Sequence, residues 1–170
     1  TIDTNYSADG NFFFADGLDQ NPGRIRYVNF RTSGFTLAGV SIPAGSAANP
    51  SVTSIFSLSN ASSGRLYGVA QFGNQFCYSS GRTDSADQGG HNVTCRDLSS
   101  ALGAITLRVG PDEITSTVRG GGPLGTEQEN VASTSARLYA PNGLAFDADG
   151  NLYIADRSNH LVRMVRRWFN

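Results

Sequence analysis

Asp147-Ala-Asp149-Gly150-Asn151 is the densest run of chemistry-bearing residues in the chain, and one of only two histidines, His160, follows closely. Carboxylates at alternate positions ahead of a glycine are how a calcium loop begins, because that cation takes hard oxygen ligands around a sharp turn. A complete helix-flanked loop also needs a glutamate at its twelfth position, and counting from Asp147 that place holds Ser158. The run therefore reads as a plain hairpin turn. No cofactor is expected, with calcium kept as the alternative. His160 reads as a framework residue whose side chain is hydrogen-bonded near the start of a strand. His91 sits in a polar stretch and reads as exposed.

The remaining candidates are Cys77 and Cys95. With His91 they match no zinc-ligand spacing, so a disulfide is the expectation. Closing a loop of that size is worth about 3 kcal/mol in the chain-entropy account. Three glycosylation sequons accompany the pair, at Asn5, Asn60 and Asn92, whereas Asn49 is excluded by Pro50. All three are expected in loops. Cysteines together with sequons point to an extracellular or cell-surface glycoprotein. No Gly-x-Ser-x-Gly elbow is present, and no catalytic constellation stands out, so the chain is not expected to be an enzyme.

The bulk numbers narrow the rest. At 170 residues the chain has room for one domain with a core. Its 13 basic residues are all arginine and are matched by 14 acidic ones, which argues against a nucleic-acid module. No apolar run approaches the ~20 residues of a membrane helix, so no membrane insertion is expected in this segment. The first residue is threonine, so the start is read as processed or as a cut through a longer polypeptide.

What positions these residues is a repeat. "DADGNLYIADRSNHLVRMV" from Asp147 has a counterpart in "SADGNFFFADGLDQNPGRIRYVNF" from Ser7. Gly10-Asn11 matches Gly150-Asn151, and Asp16 matches Asp156. Recurrence of that aspartate suggests a structural role, such as receiving a backbone N–H at a strand end. A weaker third copy is read in "SIFSLSNASSGRLYGVAQF", with Gly64-Arg65 at the turn. Each copy reads as a strand, a turn closed by glycine, a second strand, a loop, and a third strand alternating arginine with apolar residues. "FTLAGV" from Phe35 and "EITSTVRG" from Glu113 read as fourth strands. Four-stranded antiparallel units in series describe an all-β chain of propeller blades. Blade one is assigned to residues 1–47, blade two to 48–120 and blade three, lacking its last strand, to 121–170. A projecting disulfide hairpin, about 73–103, is read as an insertion in blade two and as the leading contact feature.

The run "EITSTVRGGGPLGTEQENVASTSARLYAPNGLAFDADGNLYIADRSNHLVRMV" closely resembles the NHL-repeat β-propeller family. The resemblance is strong in the third copy, good in the first and degenerate in the second. It implies rings of about six blades, so three blades imply a piece of a longer protein or a ring completed by other chains. It also implies protein-protein interaction, and the expected role is an extracellular structural module. Such a module would mediate contact with protein partners, including copies of itself, or assembly of a surface protein or appendage. The competing reading is a metal-dependent lyase or hydrolase whose site is completed by missing blades. Lyases of this fold hold zinc through several histidines, and His91 and His160 alone do not make that set. A lesser alternative, RNA binding, rests on the arginine-bearing strands.

Overall fold

The computed structural model describes residues 4–6, 10–16, 23–57, 65–81, 91–101, 103–110 and 131–170. These residues form three antiparallel sheets in series and one small hairpin. The first sheet has the order β1-β2-β3-β6, with β1 Thr4–Tyr6, β2 Phe12–Asp16, β3 Arg24–Asn29 and β6 Ser51–Ser57. The second runs β7-β8-β9-β10, with β7 Arg65–Phe72, β8 Gln75–Gly81, β9 Asn92–Asp97 and β10 Ile105–Val109. The third contains β11 Pro141–Phe146, β12 Leu152–Asp156 and β13 Leu161–Val165. The chain is all-β with short meandering sheets, as the alternation in the sequence predicts.

The boundaries between units differ from the sequence reading. The strand containing "SIFS" pairs with β3 and closes the first sheet, so that unit runs to Ser57 rather than ending at residue 47. "FTLAGV" is not a fourth strand. Ala38 and Gly39 both take positive φ, at 49° and 77°, the geometry of a tight two-residue hairpin turn. The chain reverses there, and β4 (Phe35–Leu37) pairs with β5 (Val40–Ile42) as a separate hairpin. Its tip docks on the second sheet, where the Ala38 N–H donates to the Leu98 carbonyl at 3.1 Å. "EITSTVRG" and Gly64 lie outside the described residues.

The largest correction concerns residues 73–103. They do not form an insertion projecting from a blade. β8 and β9 are the two central strands of the second sheet. Every residue of β8 is buried, because one of its faces meets the first sheet and the other the third. Phe76 and Tyr78 pack with Phe13, Ile25 and Tyr27 in one core, the Phe13 and Phe76 ring centroids lying 4.5 Å apart. Cys77, Val93 and Cys95 pack with Leu138, Leu152 and Ile154 in the other. Burying aromatic and aliphatic side chains to this degree stabilises by about 1.5–3 kcal/mol each.

The repeat is real, but its middle copy is framed on Gly73-Asn74. This glycine has φ +56°, beside +78° at Gly10 and +84° at Gly150, so each turn uses backbone freedom that glycine supplies. The asparagine after it anchors the end of the third strand of its sheet. Asn11 Oδ1 accepts the Phe30 N–H at 2.8 Å, and Asn151 Oδ1 accepts the Arg167 N–H at 3.1 Å. In the second sheet the Asn74 carbonyl takes over, accepting the Leu98 N–H at 2.8 Å.

Candidate functional site

Asp16 and Asp156 end the second strands of their sheets, and both pair with an arginine on the third strand. Asp16 meets Arg26 at 2.8 Å in a half-exposed pair. Asp156 is wholly buried and meets Arg163 Nε at 3.1 Å. Its other contacts come from the Tyr139 N–H and Asn159 Nδ2, each at 2.8 Å. The expected backbone-pairing role for this aspartate is what Asp156 performs. Counting from the turn glycines, Ser79 stands where these aspartates stand, and Cys95 where the arginines stand. In the second sheet the ion pair is thus replaced by the Cys77–Cys95 disulfide, formed between directly opposed residues.

Ser79 does not fall idle. Its hydroxyl accepts the Gly68 N–H at 2.8 Å and donates to the Asn142 carbonyl at 2.5 Å. It therefore stitches β7 to β11 across the seam between the second and third sheets. Gly68 is required at that seam, because a Cβ there would lie 2.1 Å from the Asn142 carbonyl oxygen. Sequence reading missed Ser79 and Gly68. The recurrent Gly-Asn dipeptide, at Gly10, Gly73 and Gly150 and nowhere else, was the signal that would have set the frame.

Asp147 holds its own turn. Oδ1 accepts the N–H groups of Asp149 and Asn151 at 3.0 and 2.8 Å; Oδ2 accepts Asn151 Nδ2 at 2.9 Å and the Tyr153 hydroxyl at 3.2 Å. Both carboxylate oxygens thus serve internal donors. These bonds, that of the Asn151 side chain foremost, hold its carboxyl below the usual carboxylate range. The hydrogen bond to Asp147 likewise raises the Tyr153 phenol. A depressed carboxyl contributes stability above its unfolded-state pKa, and that contribution is lost as pH falls through the folded-state value. Asp147→Asn is therefore expected to melt below the parent at neutral pH, and the gap is expected to close in acid. Thermal melts of the two proteins across that range check it.

The histidines differ from expectation. His91 is buried, not exposed: Nδ1 accepts the Ala140 N–H at 3.0 Å, and the ring meets Tyr139 edge-on at 5.2 Å. His160 is exposed, and it is its backbone that shapes the strand start, in a left-handed conformation with φ 58° and its N–H on the Arg157 carbonyl. Among the described residues, no three His, Cys, Asp or Glu side chains group so as to hold a metal ion. No described helix is long and apolar enough to cross a membrane.

Nor do the sequons all fall in loops. Asn5 is the middle residue of β1, and Asn60 lies outside the described residues. Asn92 opens β9 and is 2% exposed, so a glycan at Asn92 has no room in the folded chain.

The surface feature that stands out is β13. It edges the third sheet with no further strand beside it among the described residues, whereas the other two sheets have four strands. Val162 and Met164 on it are 73% and 50% exposed. A groove of about 740 Å³ is lined by the consecutive residues 162–166, with Val109, Ala136 and Leu138 opposite. Because successive strand residues point to opposite faces, a groove touching all five runs along the strand edge.

Residues 138–163, which include β11, β12 and most of β13, match the family model of the NHL repeat. No curated protein matches the chain. The third sheet thus carries the match to the NHL repeat, within a chain of serial antiparallel sheets.

Proposed function

We propose that the chain is a non-catalytic, extracellular interaction module that assembles with copies of itself by pairing β13 edge to edge. The observation that carries this is the β13 edge, apolar and lying along a strand-sized groove. With no further strand beside it among the described residues, this edge is a template for one. The sequence Leu161-Val162-Arg163-Met164-Val165 suits a two-fold antiparallel pair centred on Arg163. In that register Val162 of each copy faces Met164 of the other, apolar against apolar, as an isologous contact requires. The two central arginines would repel across such a pair, but each is already neutralised by its own Asp156. The extracellular setting is supported by the Cys77–Cys95 disulfide and by the sequons at Asn5 and Asn60 as bearers of N-linked glycans.

Sedimentation of the parent and of Val162→Lys/Met164→Lys tests the assembly. The parent is expected to run above the 18.0 kDa chain mass with rising concentration, and the variant to stay at it. Identical behaviour of the two would remove β13 as the contact.

A further inference from the structure

The sequon at Asn92 is closed by folding, and the manner of its closure assigns it a role. Asn92, Thr94 and Cys95 lie within four successive residues of β9, at 2%, 1% and 0% exposure. Asn92 Oδ1 accepts the hydroxyls of Ser80 and Thr94 at 3.2 and 3.3 Å, so the sequon's asparagine and threonine are bonded to each other and to β8. Its Nδ2 is buried without a hydrogen-bond partner. The backbone of Gly110 roofs it so closely that a Cβ there would lie 3.3 Å from the Asn92 Cβ. One residue beyond Thr94, Cys95 is locked to Cys77 across the same pair of strands.

We infer that glycosylation of Asn92 and closure of the Cys77–Cys95 disulfide are mutually exclusive, so that this sequon is a folding-gated modification site. In the transfer, Nδ2 bonds to C1 of an oligosaccharide carried on a lipid pyrophosphate. The C1–oxygen bond breaks, the lipid pyrophosphate leaves with the bonding pair, and the amide gives up one proton. The transferring enzyme must hold the asparagine and the threonine together on an accessible chain, which the folded sheet denies. In the reduced, unfolded chain both are open. Asn92 stands directly opposite Ser80 of β8 and is bonded to it, so a glycan on its Nδ2 has no place in the closed sheet and opposes the pairing of β8 with β9 that brings the cysteines together. The sequon would then mark chains that have not closed their second sheet.

The inference rests on the extracellular reading only in that the chain must meet a glycosyl transferase, so the test supplies that meeting. The chain, fused to a cleavable signal sequence, is translated into microsomes with and without dithiothreitol, beside Cys77→Ser/Cys95→Ser. Peptides are then mapped without reduction. Disulfide-bonded molecules are expected to carry unmodified Asn92. Occupancy is expected to rise from background to most chains under dithiothreitol and in the double variant. A single crosslinked peptide pair bearing the glycan would overturn the inference, as would an Asn92 left unmodified in both the reduced and the cysteine-free chains. Free thiols and bare Asn5 and Asn60 in the protein from its natural source would instead sink the extracellular reading and leave this one standing.

Discussion

Gly68→Ala is expected to cost about 3 kcal/mol of stability, the upper end of the range for overpacking, and to loosen the seam between the second and third sheets. The added methyl would sit 2.1 Å from the Asn142 carbonyl oxygen and 3.1 Å from its carbon. Both are backbone atoms, so no side chain can rotate away to relieve the clash. The strands themselves must part, and with them goes the relay from the Gly68 N–H through Ser79 to Asn142. Gly143 on the facing strand is the control, since a Cβ there meets only the Ala155 methyl at an ordinary 3.9 Å. Urea unfolding checks the pair: the midpoint should fall for Gly68→Ala and stay near the parent's for Gly143→Ala. Equal midpoints would mean that the seam is not close-packed at Gly68.

Asp156→Ala is expected to cost about 3–5 kcal/mol, the usual penalty for breaking a buried ion pair by removing one partner. It removes the carboxylate from the Arg163 guanidinium, whose side chain is only 10% exposed, and leaves the Tyr139 N–H without its acceptor. The equivalent change Asp16→Ala is expected to cost under about 1 kcal/mol. The two pairs have the same place in the repeat and nearly the same distance, but Asp16 and Arg26 are 42% and 30% exposed. Water stands in for the lost partner there, and at Asp156 it does not. Denaturant unfolding of the two variants measures the contrast. Similar losses would show that burial is not what separates the pairs.

How far the sequence reached depends on the kind of signal. The turn glycines and the alternating strands mark the first and third sheets, because one face of each strand is wet and the period of two is visible. The third repeat reads correctly through Asp147, Gly150, Asp156 and Arg163. The middle copy does not, because β8 lies between two other sheets and is buried on both faces, which erases the alternation. Its polar-looking "QFCYSS" and "NVTCRD" therefore read as a surface insertion. The serines and the asparagine there are interior groups bonded to their neighbours, and polarity alone says nothing of that. Asn92 illustrates the same limit: a sequon is a local pattern, while its exposure is set by a sheet built from distant residues. The cysteine pairing was legible because only two cysteines exist. Its place, substituting for an Asp–Arg pair, becomes visible only once the strands are in register.

Self-assembly rests on β13 as a strand edge that receives a second copy. Hydrogen exchange of its amides, measured at low and high protein concentration, tests this most directly. Residues 161–165 are expected to become more protected as concentration rises, while β7 and β8, already buried among neighbours, keep constant protection. Protection of 161–165 that does not change with concentration would contradict the account.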